Sequence, residues 1–266
     1  MLKNLDPIGI PIGLKNSITP FQFNDVKSFL TLIKNNKDLC AIVVEGARYQ
    51  YLEKNFVKVL NSITKKYNIC LIVDEITSGW RECIGGIYKK FDLKPGIVVY
   101  GKALGNGYAI SAIVGKRKYM KNVKDTFISS TAWTERVGFQ AALSTVKFFK
   151  NKKVYKHNVK IGKYIISQWK KLFYKHNLQV KINDFVSMPS FEFLYNSQNE
   201  YLYTYVTELM LERGYLSTNN ISITYAHKKS DVKKYLKNLD IVLKRISKEL
   251  KANRLKLKSS VREMNY

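Results

Sequence analysis

Acidic residues are scarce: 20 Asp and Glu stand against 46 Lys and Arg in 266 residues, a formal net charge of +26. Such an excess raises nucleic acid or an anionic membrane as partners. The lysines are scattered along helix faces rather than gathered in one stripe. A solvated lysine-rich surface is therefore expected, and nucleic acid is not an expected partner. Long apolar runs are missing too. No run reaches the ~18 residues of a membrane-spanning helix, so no membrane partner is expected. Asp6, Pro7 and Pro11 interrupt the start of the chain, where a secretory signal would need an apolar core. A cytoplasmic location is the expectation. Cysteine is limited to Cys40, Cys70 and Cys83, an odd number without metal or redox spacing. Cys40 and Cys70 lie in apolar runs and are expected to be buried, reduced thiols.

What is present suffices for a core: 45% of residues are hydrophobic. Residues 39–44 (LCAIVV) and 69–73 (ICLIV) are short apolar runs of the kind covered on both faces of a parallel sheet. Between them Leu52, Phe56, Leu60 and Ile63 recur at helical spacing, which predicts a crossover helix. Further strands fit 97–100 (IVVY) and 111–114 (SAIV). Strand, helix, strand implies parallel crossovers. From Thr134 a helix is expected to about Lys150, with Val137, Ala141, Ala142 and Val146 on one face. A second unit follows, with a helix near 152–175, strands near 178–182 and 190–194, and a helix near 201–213 ended by Gly214. A last helix is expected from Ser230 as N-cap, with Leu236, Leu239, Leu243, Ile246 and Leu250 as its stripe. The fold class expected is α/β: a mostly parallel sheet with crossover helices over 1–150, a small α+β domain over 151–250, and a basic tail over 251–266.

Asp74 and Glu75 follow directly on the second apolar run, at the strand end where open α/β sheets bind ligands. Lys102 follows another strand in YGKALGNG, flanked by Gly101, Gly105 and Gly107. A lysine among glycines at a strand end can serve as a Schiff-base nucleophile or a phosphate ligand. GIVVYGKA matches the nucleotide-triphosphate loop only superficially, because Ala103 stands where Ser or Thr should hold magnesium. GKALGNG is not the dinucleotide fingerprint either.

In order along the chain stand LIVDEITSGWR (71–81), a glycine pair (85–86) and LKPGIVVYGKALGNGYAISAIVG (93–115). SSTAWTERVGFQAAL (129–143), ELMLERGYL (208–216) and Ala226-His227 come after them. This combination resembles the class III aminotransferases, fold-type-I enzymes that use pyridoxal 5'-phosphate (PLP). Glutamate-1-semialdehyde aminomutase belongs to that group. The resemblance implies that Lys102 is the Schiff-base lysine and the proton shuttle. It implies that Asp74 pairs with the pyridinium nitrogen and that Ile76 packs against one ring face. Thr131 would bind the PLP phosphate of the neighbouring subunit, which implies a homodimer. Gly105 and Gly107 would let the backbone turn near the cofactor. His227 is left outside the site. The reaction implied is amino transfer between an amino acid or amine and an aldehyde or keto substrate, or the aminomutase's intramolecular version.

Two departures accompany the resemblance. Family members carry an upstream segment with a Ser-Gly-rich phosphate loop and an aromatic residue for the other ring face, and neither precedes Asp74 here. Glu45-Gly46 also replaces the usual Glu-Pro. Weak PLP binding is the expectation, since each lost charge-assisted hydrogen bond is worth about 1.5–3 kcal/mol. The departures leave three further expectations: a separately encoded N-terminal half as partner, a truncated and catalytically inactive remnant, or a fragment of a longer reading frame.

Overall fold

The computed structural model describes residues 8–14, 17–129 and 135–261. The first helix, α1 (Val26–Asn35), starts where the Asp25 carboxylate accepts the Ser28 N–H, and it buries Phe29 and Ile33 one turn apart. Strand β1 (Ala41–Glu45) leads into α2 (Lys54–Lys66), which buries Phe56, Val57 and Leu60. Strands β2 (Cys70–Asp74), β3 (Ile97–Tyr100) and β4 (Ala112–Gly115) complete a sheet of order β1-β2-β3-β4. A short helix, α3 (Arg117–Met120), follows it.

Pairing is parallel from β1 to β2 and from β2 to β3, with Glu45 opposite Asp74 and Asp74 opposite Val99. Strand β4 runs antiparallel to β3. The mostly parallel α/β sheet is thus as expected, with α2 as the crossover from β1 to β2. The implied crossovers go no further. The β2–β3 connection holds only a 3-10 turn (Ile87–Lys89), and a tight loop folds β4 back beside β3.

Cover on both faces fits β2 better than its neighbours. Val43 in β1 is 57% exposed, and Ile113 and Val114 in β4 are 60% and 47% exposed. The main core of this part lies between α1, α2, β1 and β2, around Phe29, Phe56, Leu60, Leu71 and Val73. Cys70 is buried, on the β2 side facing Gly96, but Cys40 is exposed, one residue before the strand begins at Ala41.

Helix α4 (Arg136–Asn151) packs Ala142 and Val146 against Val98, Tyr100 and Leu104, while Val137 at its start is exposed. The expected apolar face is therefore covered only toward its C-terminal half. The remaining elements are α5 (Val154–Lys175), β5 (Val180–Ile182), β6 (Phe191–Phe193), α6 (Asn199–Leu211) and α7 (Lys229–Lys251). Strands β5 and β6 form an antiparallel pair, and three helices share a core around Trp169, Phe191, Leu202 and Leu243. Gly214 adopts a φ of +79° just past α6, where a side chain would be strained. The N-cap of α7 lies two residues before the expected one. Lys228 holds the N-cap position, and Ser230 lies in the first turn with its hydroxyl toward Asp231. Val232, Tyr235, Leu236 and Leu239 form one buried stripe along the helix.

Candidate active site

The carboxyl ends of β1, β2 and β3 lie side by side and deliver Glu45, Asp74 and, two residues beyond β3, Lys102. Lys102 opens a 3-10 turn (Lys102–Leu104) with φ of +42°, a left-handed conformation that a non-glycine residue keeps only when its surroundings enforce it. Its ammonium Nζ donates to the Thr77 hydroxyl at 3.0 Å. Asn106 and Gly107 also have positive φ, and a Cβ on Gly105 would lie 2.1 Å from the Tyr108 carbonyl oxygen. The glycines therefore permit the turn after the lysine, as the sequence suggests.

Asp74 is half-buried, and its Oδ1 accepts the Ile76 N–H at 2.8 Å. That bond starts a tight turn over 75–81. The Gly79 N–H donates to the Glu75 carbonyl at 2.7 Å, and Arg81 Nε donates to the Thr77 carbonyl at 2.5 Å. Ile76 sits over Gly101, whose absent Cβ would lie 3.4 Å from its Cγ2. The fold thus brings Asp74, Ile76 and Lys102 to one sheet edge. Thr131 lies outside the described residues. His227 is remote in sequence, its Nδ1 taken by the Thr224 N–H at 3.0 Å.

Two groups, Thr77 and Glu45, escaped the sequence reading. Thr77 is buried and holds the lysine, but a threonine after Asp-Glu-Ile carries no signal of its own. Glu45 lies within electrostatic reach of both Asp74 and Lys102, and burial pushes its carboxyl above the usual range. Register could have found it, since a strand-end glutamate beside a strand-end aspartate shares the sheet edge. Glu75 is fully buried, and burial raises its carboxyl despite bonds from Ser78 and the Tyr88 N–H.

The donor set suits PLP: a primary amine for its aldehyde, a carboxylate for its ring nitrogen, and an apolar side chain for a ring face. Among the described residues no group of three or more His, Cys, Asp and Glu could hold a metal ion. No described helix is long and apolar enough to cross a membrane.

Comparison with known proteins points the same way. The chain is 34% identical over 154 residues to a 3-aminobutyryl-CoA aminotransferase of Cloacimonas acidaminovorans, covering 55% of this chain and 37% of that protein. It is 26% identical over 266 residues to a glutamate-1-semialdehyde 2,1-aminomutase of Fusobacterium nucleatum, covering 92% and 61%. Among solved structures, the PLP internal aldimine form of the FumI protein from Sphingopyxis sp. MTA144 superposes with a TM-score of 0.81 at 19% identity. That match covers 88% of this chain and 58% of the other, and it speaks for the fold. The chain spans only about a third to three fifths of the length of these relatives. The sequence profile described as "Aminotransferase class-III" matches residues 16–237. With the fold, the sheet-edge lysine and a match over most of its length in agreement, the chain belongs to the class III aminotransferase family.

Proposed function

We propose that this chain carries the lysine-bearing part of a PLP-dependent aminotransferase or aminomutase. It would move an amino group between an amino acid or amine and an aldehyde or keto compound. The observation that carries the reading is Lys102 itself, held in a left-handed turn with its ammonium on Thr77 at the sheet edge that bears Asp74.

PLP, when bound, supplies a ring that withdraws electrons from the carbon beside the amine. With PLP bound, Lys102 would hold its aldehyde carbon, and the same amine would carry the proton at the substrate's Cα. Asp74 would keep the ring nitrogen protonated, and Ile76 would pack on one ring face. Thr77 orients the lysine amine. Thr131 is assigned to the phosphate by family resemblance. The partners proposed are a small amino donor, a carbonyl acceptor, and a second copy of the chain or a separately made N-terminal half, acting in the cytoplasm.

A second reading, an inactive remnant, draws on the exposure of Lys102. Absorbance spectra of the chain with added PLP, before and after borohydride, separate the two. The proposal expects a visible band that borohydride traps in wild type and that Lys102→Ala loses. No band, or an equal band in the variant, favours the remnant.

A further inference from the structure

Glu82 is a carboxylate that the proposed chemistry does not use, and it is among the best-bonded side chains in the protein. Its side chain is 1% exposed. Oε1 accepts the Tyr51 hydroxyl at 2.8 Å and the Ser187 N–H at 3.1 Å. Oε2 lies 2.9 Å from the same hydroxyl and accepts the Lys90 ammonium at 2.9 Å. The Tyr51 oxygen in turn accepts the Val186 N–H at 3.2 Å, and Lys90 sits 4.3 Å above the Tyr51 ring. Burial beside Glu82 raises the Tyr51 hydroxyl well above its usual range, so it remains a donor.

The cluster therefore gathers three residues from the first half of the chain onto two consecutive amides of the 185–188 segment. Phe185 of that segment packs on Ala47 and Ile87. On the other side, Asn158 of α5 donates to the Arg81 carbonyl at 3.1 Å, so the same turn is gripped twice. Arg81 bonds the Thr77 carbonyl, and Thr77 holds Lys102. Four residues, Glu82, Arg81, Thr77 and Lys102, thus connect the buried carboxylate to the reactive amine. Only the Glu82 half of the ion pair is buried, Lys90 being 43% exposed. Such a pair is weak evidence of net stabilisation, and the best-supported use of buried charged groups is to fix one arrangement among several.

We propose that Glu82, with Tyr51 and Lys90, is a positioning latch that ties the seating of the 185–188 segment to the reactivity of Lys102. The inference rests on Lys102 being the PLP-reactive lysine. Glu82→Gln keeps the side chain's shape but turns one acceptor into a donor and leaves the Lys90 ammonium without its counter-charge. Tyr51→Phe removes only the hydroxyl, and it serves if Glu82→Gln does not fold.

The test has two readouts on folded protein. The first is the rate at which PLP with borohydride labels Lys102, followed by peptide mass spectrometry, with exposed Lys147 as internal control. The latch predicts labelling of Lys102 slowed about 3- to 30-fold in either variant, the range of couplings carried through packed networks, with Lys147 unchanged. The second is amide hydrogen exchange over 77–81, which the latch predicts to quicken in both variants. A purely local role would quicken exchange at 185–188 and leave 77–81 and Lys102 as in wild type, which overturns the proposal. If wild type itself does not label Lys102 above Lys147, the reading of the site fails, and the exchange at 77–81 still decides whether the latch holds that turn.

Discussion

Beside Asp74, the Glu75 carboxylate is enclosed so tightly that two positions next to it exclude any side chain. A Cβ on Gly46 would lie 2.7 Å from its Oε1, and one on Gly86 would lie 2.5 Å from the same atom. Gly86→Ala should therefore destabilise the protein by about 1–3 kcal/mol, the usual cost of overpacking, read as a lower denaturant midpoint. Gly46, where the family usually has proline, carries no Cβ to meet that carboxylate. Burial also raises the Glu75 carboxyl in the folded state, so the protonated form is favoured there. Its contribution to stability is full below the ordinary glutamate value of 4.5 and is lost as pH rises through the elevated folded value. Glu45 is raised by burial and acts with the same sign. The difference in melting temperature between Glu75→Gln and wild type isolates the Glu75 share. It should shift in favour of the variant between pH 5 and pH 8, and a difference that is flat across that range contradicts the assignment.

Among the elements, α5 shows how closely the second half is packed. Gly162 in its middle faces the Val186 carbonyl, and an added Cβ would lie 1.6 Å from that oxygen. Gly162→Ala must push the helix away from the 185–188 segment. Urea titration should show a loss of more than about 1 kcal/mol, and an unchanged midpoint would mean that the helix is not seated there. Trp169, one face further along α5, is fully buried and meets Phe191 edge to face at 5.1 Å. The elements were the more legible part of the sequence. The runs at 39–44, 69–73 and 97–100 each became strands because β-branched residues in unbroken sequence leave few alternatives. The α7 stripe was readable from the recurrence of leucine. Less visible were the features that depend on tertiary neighbours: the start of α7 at Lys229, the exposure of Cys40, and the antiparallel return of β4. The site was legible in Asp74 and Lys102 because their motifs are local. Thr77, Glu45 and Glu82 each have a partner far away in sequence, 25, 57 and 105 residues off, by hydrogen bond or by charge, and only folding brings those partners near.

For the molecule as a whole, the four-stranded sheet leaves apolar surface open at both margins, at Val43 and at Ile113 and Val114, while Phe139 and Leu143 of α4 are also exposed. An open strand edge and apolar side chains on one molecule favour association with another chain. Sedimentation of the isolated chain should show concentration-dependent self-association that Ile113→Lys reduces. A monomer at every concentration would remove the support that this surface gives to a partner. All of it bears on one claim, that Lys102 is the lysine through which this fold takes PLP. The most direct measurement is peptide mapping of the chain after PLP addition and borohydride reduction. The account predicts that the adduct mass concentrates on the peptide holding Lys102, above the many exposed lysines, and that Asp74→Ala weakens it. Adduct spread evenly over surface lysines, with Lys102 no more reactive than Lys147, would contradict it.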